Sequence, residues 1–533
     1  MSEDSTLADR TPQLSVEDQE KGVVKDSKAD KESGSDRLAS LSQGRKNLLL
    51  LIFSIATFVD VCNVSGAAVA VAQISQDIQL GASQVVWIIT SYSICFAAFL
   101  LFAGRLSDIF PASIVFEGGF FVLGIFSLVV SFVTSNKYGF LILRGLAGIA
   151  GSMTIPSSYH LTVHMFPDHK EQQAKLALLS LSGAIGNVLG LQVMTPVVRQ
   201  SYKWFFRVLA IICFIFTIIC VLILPMTGHE GQVDGIPKWK KLDLIGVGLL
   251  AAALVCFILS LTQGPIDGWG SAAFIAPFII SFAAGIAFFF WESWIPQKTA
   301  VLPSSVWKIS NIIIMSLAIG IACNELTALT VPFWSTSQLM YSTYFQEVLQ
   351  WTPIKVSAAM LPQGITGLII GGSAQYIPQI ITKPKFTLPL GGILIIAAEI
   401  LQIFSNGGHG KDYWRFCFPA YILGSAGAIL SYLCTSINLI TYCPPEMAGV
   451  AGALVQVVAQ IASAITLAVQ ASFEGQGVQD WNMAARRSFY FQIAWTAVLC
   501  IQFVVFFRKP TSPEEAHEAT RKRIAESGKD AGL

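Results

Sequence analysis

The sequence has few charged residues for its length. Asp, Glu, Lys and Arg make up 13% of its 533 residues, whereas a soluble globular domain has about 25%. The charges are also concentrated, because 29 of the 67 lie in the first 46 and the last 26 residues. The long middle part cannot cover a surface that faces water, so we expect lipid to be its solvent.

Several functional signals are also missing. The net charge is only +1, which gives no basic surface for nucleic acid. The ten cysteines include no CxxC pair and fall mostly in apolar runs, which favours buried thiols over disulfides. The six histidines form no metal-binding pattern, and the stretch SNGGHGK (405–411) lacks the first glycine of a phosphate loop. We therefore expect no enzyme activity, cofactor, metal or ATP.

Apolar runs of about 20 residues fill the middle of the chain, and about 20 residues suffice to cross a hydrocarbon core of about 30 Å. The amino-terminal stretch before them is acidic and serine-rich, which is not typical of a signal peptide. Fourteen helices are predicted, at 47–70, 84–103, 114–134, 138–160, 175–198, 204–226, 243–262, 271–291, 309–349, 354–377, 385–405, 414–439, 446–472 and 488–507. The run 309–349 is long for one span, and Pro332 predicts a break in it.

Basic residues near the helix ends modestly favour one orientation. They place the amino-terminus in the cytoplasm, and an even number of spans places the carboxyl-terminus there too. We expect a multi-pass protein of the plasma membrane, with the vacuolar membrane as the alternative.

A short charged turn, AGRLSDIFPASIVFEGG (103–119), lies between the second and third runs. Its GRLSD (104–108) resembles the signature of the major facilitator superfamily, roughly G-x-L-a-D-x-x-G-R-K, although PAS (111–113) stands where Gly-Arg-Lys is expected. Stretches 58–78, 85–110, 143–158 and 182–190 are similar to motifs of the fourteen-helix drug:proton antiporters, particularly fungal ones.

This resemblance implies an all-α fold of two six-helix bundles with two extra helices between them. The corresponding parts are a disordered cytoplasmic tail (1–46), an amino-terminal bundle (47–226), a hinge with two extra helices (227–308), a carboxyl-terminal bundle (309–507) and a second cytoplasmic tail (508–533). The bundles are expected to rock so that a central cavity opens to one side at a time. We expect a monomer.

The charged turn is a candidate latch between the two bundles, formed by Gly104, Arg105 and Asp108. A small residue suits a close helix approach, and Asp108 favours the positive end of a helix dipole. The resemblance implies that the latch holds the inner face closed, more weakly than usual because Arg105 is the only cation in the turn. A solvated loop is the alternative.

Ionisable residues inside membrane helices are costly and usually functional. Four are candidates for proton coupling: Asp60, Arg144, Glu325 and Glu399. A carboxyl group in a low-dielectric cavity can load and release a proton near neutral pH, which favours Asp60. The alternatives are a permanently paired carboxylate for Asp60, a snorkelling side chain for Arg144 and a packing hydrogen bond for Glu325. No motif surrounds Glu399.

Polar and small residues in other helices complete the expected site. The fifth helix carries Gly183, Gly186, Asn187 and Gly190, whose spacing allows close packing and resembles the antiporter motif, with Asn187 in place of proline. Candidate cavity residues are Asn63, Asn324, Gln363, Gln456, Gln460, Tyr341 and Tyr344. Each of them is also compatible with simple packing.

The most concrete function that follows is export of a small organic molecule, a drug or a secondary metabolite, in exchange for protons. The degenerate motif of the fifth helix keeps an alternative open, which is an uptake permease or proton symporter for a small nutrient or inorganic solute.

Overall fold

The computed structural model describes residues 34–80, 84–133, 136–225, 242–296, 299–302, 327–373, 377, 383–475, 481–506 and positions 514, 515, 517, 518 and 522. All regular secondary structure within these ranges is helical. The α-helices are α1 Gly34–Ala39, α2 Gln43–Asp77, α3 Trp87–Ile109, α4 Ala112–Val130, α5 Lys137–Ser152, α6 Thr154–Met165, α7 His169–Gln200, α8 Tyr202–Ile223, α9 Leu244–Asp267, α10 Ala272–Trp294, α11 Thr327–Glu347, α12 Pro353–Ser373, α13 Pro384–Ile403, α14 Phe418–Tyr442, α15 Ala448–Gly475 and α16 Trp481–Phe506. Short 3₁₀ turns lie at Asn406–Gly408 and Pro445–Met447, and a π-helical turn lies at Tyr413–Cys417.

Most of the predicted spans coincide with helices. In the described ranges, 12 helical segments are long and apolar enough to cross a membrane, and each overlaps one predicted run. The runs 175–198 and 309–349 are the two outside this set. Helix α7 covers the first, α11 covers part of the second, and 309–326 lies outside the described residues. The chain is therefore an all-α, multi-pass membrane protein, and the count of fourteen spans stays a prediction.

Two features of the helices differ from the expectations. The ordered body begins before residue 47, because Leu38 in α1 is buried and the Lys46 ammonium donates a 2.7 Å hydrogen bond to the Ala39 carbonyl. Helix α11 also runs through residue 332 without a break. Its next two residues, Phe333 and Trp334, are buried, and this packing outweighs the single backbone hydrogen bond that a proline removes.

The fourth predicted span consists of two helices, α5 and α6, with Met153 between them. Pro156 is the third residue of α6 and has no N–H to donate to the Ser152 carbonyl, so the hydrogen bonding of a continuous helix is interrupted there. Met153 keeps helical dihedral angles of −77° and −24°. The two helices are therefore nearly collinear, and the interruption is in their hydrogen bonds.

The helices divide into two sets that meet along a seam. Helix α2 packs on α7, α3 on α5 and α4 on α8 in the first set, while α13 packs on α14 and α16, and α11 on α15, in the second. Across the seam α3 and α6 pack on α15, and α7 packs on α12 and α14.

The extra helices α9 and α10 form a hairpin on one side of this seam. Helix α9 packs against α3 of the first set and α15 of the second. Ile258 of α9 joins Ile94 and Ala97 of α3 in one buried apolar cluster, with Ala464 of α15 packed against it. The hairpin therefore touches both halves of the molecule at once.

Candidate functional site

Asp60 lies in the interior of the first set of helices. It is 3% exposed and receives a hydrogen bond from the Thr154 hydroxyl of α6 and one of 3.4 Å from the Tyr92 hydroxyl of α3. No basic group in the described part of the chain forms an ion pair with it. The carboxyl group therefore has only hydroxyl partners from its neighbours.

Gly151 makes room for this arrangement. A Cβ atom there would lie 2.9 Å from Asp60 Oδ1 and would collide with the Tyr92 hydroxyl. A side chain at position 151 would thus separate the carboxyl group from its phenol partner, which explains why the last turn of α5 has a glycine here.

Arg144 is fully buried one step away from Asp60. Its Nε donates 3.1 Å to the Ile88 carbonyl, Nη1 donates 3.3 Å to Asn63 Oδ1, and Nη2 donates 2.9 Å to the Asn63 carbonyl. Its guanidinium carbon lies 5.0 Å from the centre of the Tyr92 ring. Since Arg144 is 1% exposed, the snorkelling alternative is wrong. Tyr92 contacts both the Arg144 cation and the Asp60 carboxyl group, and the hydrogen bonds of Arg144 go to Ile88 and Asn63 rather than to Asp60.

The predicted latch residue Asp108 reaches across the seam. Its Oδ1 accepts a 3.1 Å bond from the Gly449 N–H, and its Oδ2 accepts a 3.2 Å bond from the Val450 N–H. These groups lie in the first turn of α15, where the helix dipole is positive. His160 Nδ1 of α6 lies 2.8 Å from Asp108 Oδ1. The side chain is 1% exposed, so the alternative of a solvated loop is wrong.

Gly104 and Arg105 contribute differently to the same region. A Cβ at Gly104 would lie 2.8 Å from the Gly449 carbonyl oxygen, so its absence lets α3 and α15 touch. Arg105 is within electrostatic range of Asp108 and of two acids at the base of the hairpin, Asp243 and Glu292. The cation of the turn therefore also faces the extra helices.

A pair of tyrosines crosses the seam beside Asp108. The Tyr159 hydroxyl of α6 lies 2.9 Å from the Ser180 hydroxyl of α7 and is hydrogen-bonded to Tyr432 of α14. Tyr432 in turn accepts a 3.3 Å bond from Gln456 Nε2 of α15. Ser180 and Tyr159 belong to the first set of helices, and Tyr432 and Gln456 to the second.

The glycine-rich stretch of α7 packs on α2. Cβ atoms at Gly183 and Gly186 would lie 3.3 Å from Thr57 and 3.0 Å from the Phe58 carbonyl oxygen, and the Gly186 carbonyl accepts a 3.2 Å bond from the Ser65 hydroxyl. Gly190 lies against Ser65 in the same way. The stripe thus holds together the helix that carries Asp60. Asn187 lies in α7, and its side chain lies outside the described residues.

The second half holds several of the predicted cavity residues. Tyr341 and Tyr344 are buried in an aromatic cluster, where the Tyr341 hydroxyl lies 2.8 Å from that of Ser405. Gln363 is 1% exposed, and its amide atoms have no hydrogen-bond partner among the described residues. Gln460 is half-buried in α15. Asn324 and Glu325 lie outside the described residues.

Glu399 does not join Asp60. Gly392 lies seven residues before Glu399 in α13, and residues seven apart share a helix face. A Cβ atom added at Gly392 would lie 3.8 Å from Thr496 of α16. Glu399 therefore faces α16 within the second set of helices. It is 1% exposed, and its Oε2 has no partner in the described ranges.

Several residues of these networks were not predicted, among them Tyr92, Thr154, Tyr159 and His160. Tyr92 and Thr154 lie inside the stretches that resemble the antiporter motifs, so the motifs contained a signal for them. His160 and Tyr159 follow those stretches directly and carry no sequence signal of their own.

Comparisons with known proteins identify the family of the chain. The pattern of the Major Facilitator Superfamily matches residues 53–467. A major facilitator superfamily multidrug transporter of Aspergillus fumigatus is 24% identical over 440 residues, which are 79% of this chain and 78% of the relative. A low affinity ammonium transporter of Saccharomyces cerevisiae is 24% identical over 461 residues, covering 84% of each chain. The crystal structure of the human organic anion transporter MFSD10 superimposes with a TM-score of 0.55 at 13% identity, covering 87% of this chain and 99% of that one.

The chain belongs to the Major Facilitator Superfamily and is a membrane transporter rather than an enzyme.

Proposed function

We propose that this transporter exports small organic molecules from the cytoplasm in exchange for protons, and that Asp60 carries the proton. The observation that carries the proposal is a buried carboxyl group with only hydroxyl partners. An ionised Asp60 accepts both hydroxyl hydrogens, and a neutral one donates its own hydrogen to a hydroxyl oxygen. Both protonation states can therefore be hydrogen-bonded without moving the helices.

The surroundings suit exchange of a proton better than a permanent ion pair. A carboxylate paired directly with a cation is stabilised in its charged form, whereas the hydrogen bonds of the nearby Arg144 go to Ile88 and Asn63. One proton moving down about 100 mV supplies about 2.3 kcal/mol, which supports a substrate gradient of about 50-fold. That is enough to keep a toxic compound or a product low in the cytoplasm.

The predicted organic substrate follows from the candidate cavity residues. They are aromatic or uncharged and polar, which is typical of sites for drug-sized molecules. The relative named as a multidrug transporter supports the same class. In this proposal both termini and the Asp108 end of the seam face the cytoplasm, and the closed contacts there leave the cavity open to the outside. The plasma membrane is the proposed location.

A second candidate is uptake of ammonium or a similar small cation, because one relative is named as a low affinity ammonium transporter. Radiolabelled methylammonium and a panel of fluorescent drugs, each offered to cells with and without the protein, separate the two. Export predicts greater drug retention in the cells that lack the protein, whereas uptake predicts less methylammonium in those cells.

Asp60→Asn tests the proton role. In vesicles with an imposed acid gradient, wild-type flux should follow the gradient, and the variant should lose this dependence while still exchanging substrate at equal pH. Asp77→Asn is the matched control, because Asp77 lies in the same helix and is 49% exposed. Gradient-driven flux that survives in Asp60→Asn would exclude Asp60 as the proton carrier.

A further inference from the structure

Helix α6 carries three interior contacts on different sides of its axis. Thr154, its first residue, donates to Asp60. Tyr159 touches Tyr432 across the seam, and His160 touches Asp108. The six residue steps from Thr154 to His160 span about 9 Å of an α-helix, so fewer than two rigid turns connect the buried carboxyl group to both contacts between the halves.

We propose that α6 transmits the protonation state of Asp60 to the seam, with Thr154, Tyr159 and His160 as positioning residues. This inference rests on the proposed function, because it assumes that Asp60 gains and loses a proton during transport. It goes further by assigning the path between that proton and the contacts that close one end of the molecule.

The starting point is that Thr154 has one hydroxyl hydrogen and two acceptors. Its Oγ1 lies within hydrogen-bond distance of Asp60 Oδ2 and 2.8 Å from the Gly151 carbonyl oxygen. When Asp60 is ionised, the hydrogen is directed to the carboxylate, because bonds to charged acceptors are about twice as strong. When a proton from water binds Asp60, the new O–H donates to Thr154 Oγ1, and the Thr154 hydrogen turns to Gly151.

The Thr154 hydroxyl changes its hydrogen-bond partner at the interruption between α5 and α6. Gly151 lies in the last turn of α5 and Thr154 is the first residue of α6. The Thr154–Gly151 hydrogen bond therefore joins the two helices across Met153. At this point the Ser152 carbonyl has no helical partner, because Pro156 has no N–H. Protonation of Asp60 would make this joint stronger, and ionisation would weaken it.

Tyr92 is the other group that links Asp60 to a helix of the seam. Its hydroxyl donates to Asp60, and its helix α3 packs on α15 and on the Pro445–Met447 turn, as α6 does. A path through Tyr92 would respond to Asp60 whether or not position 154 has a hydroxyl group, so the Thr154→Val background separates the two paths.

The remaining groups near Asp60 lie on helices of the first set. The thiols of Cys62 on α2 and Cys213 on α8 are within electrostatic range of it, and the buried Arg144 of α5 contacts the Tyr92 ring.

The far end of α6 is closely fitted to the second half. Gly452 of α15 lies against the Tyr159 ring, where a Cβ would approach Cδ2 to 2.7 Å. His160 shares Asp108 Oδ1 with the Gly449 N–H. A rotation or tilt of α6 must therefore change the tyrosine pair and the Asp108 contacts together.

Cys443 provides a native reporter of these contacts. It is 4% exposed and lies just before the Pro445–Met447 turn. Burial, reinforced by the nearby Asp108 carboxylate, raises the pKa of its thiol to about 12. Alkylation at Cys443, followed by peptide mass spectrometry at fixed pH, therefore measures how often this end of the molecule opens.

The test is a double-mutant cycle of Asp60→Asn and Thr154→Val. The asparagine amide mimics a neutral carboxyl by donating to Thr154, so Asp60→Asn alone should change the Cys443 alkylation rate about tenfold, as expected for one bond to a charged group. In the Thr154→Val background the same change should have no effect. An equal change in both backgrounds would overturn the proposal.

Two further variants keep the result interpretable. Thr162→Val is the matched control, because Thr162 is buried in α6 but donates only to Ser158 of its own helix; it should preserve the response to Asp60→Asn. Tyr159→Phe, which keeps the ring, should raise alkylation in every background, and an unchanged rate would also contradict the proposal. Gradient-driven flux of Asp60→Asn is measured separately. If this variant loses its dependence on the acid gradient but Thr154→Val does not alter its effect on Cys443 alkylation, only the role of α6 is rejected.

Discussion

The Asp108→Asn substitution should open the end of the seam that Asp108 closes. The carboxylate accepts one backbone N–H on each oxygen, from Gly449 and Val450. An asparagine keeps one acceptor, places an NH₂ group against the other N–H and removes the charge at the helix terminus. A lost bond to a charged group costs about 1.5–3 kcal/mol, which corresponds to about a 10- to 150-fold larger open population.

Cys443 alkylation measures this population. Cys443 is 4% exposed, so the reagent reaches its thiol only after this end of the molecule opens. Removing the Asp108 charge also lowers the pKa of the closed thiol, but a thiol that the reagent cannot reach does not react in either protonation state, so the observed rate follows opening. The rate in Asp108→Asn should rise by the same 10- to 150-fold.

The control for this experiment is Asp168→Asn. Asp168 accepts the Glu171 N–H at 3.0 Å, so it caps α7 with the same chemistry but without contacting the second half. Its substitution should leave Cys443 alkylation unchanged. An Asp108→Asn protein that folds, inserts and reacts at the wild-type rate would refute the assignment of Asp108 to closure.

Two further substitutions test the packing around the site. Gly104→Ala would place a methyl group 2.8 Å from the Gly449 carbonyl oxygen, so we expect faster Cys443 alkylation. Gly248→Ala is the control, because no atom lies within 4 Å of a Cβ at that position, and it should behave as wild type in the same assay. Arg144→Lys should reduce gradient-driven flux by at least 100-fold and lower the melting temperature, because one ammonium cannot replace three directed bonds to Asn63 and Ile88; flux within a factor of three of wild type would contradict this.

The fold could be predicted largely because lipid imposes a simple rule on sequence. A span must be apolar over about 20 residues, and the charged turn at 103–119 resembles a known signature. The sequence did contain a signal for the interruption at Met153, because Pro156 has no N–H to donate to the Ser152 carbonyl. The prediction of one continuous span at 138–160 did not use that signal.

The candidate site was predictable only in part, because its partners come from distant segments. Asp60 and Arg144 stand out as charges in apolar runs. Thr154, 94 residues from Asp60, is one hydroxyl among many, and only packing brings the two together. The missing Gly-Arg-Lys of the turn predicted a latch with Arg105 as its only cation, yet His160 from another helix meets Asp108.

The proton-coupling role of Glu399 stays a prediction. A lone acid in an apolar run predicts function because its burial is costly, but this cost does not tell which way the side chain faces. Gly392, seven residues earlier in α13, lies against α16. A single sequence does not show which helix covers that face.

The hairpin of α9 and α10 makes the two flanks of the transporter unequal. On its flank, where α3 meets α15, a helix lies over the junction of the two halves. Elsewhere along the seam α7 and α12 pack on each other directly, with Gly371 against the Leu181 side chain. Any rearrangement where α3 meets α15 therefore also involves α9, whereas one between α7 and α12 involves only the two halves.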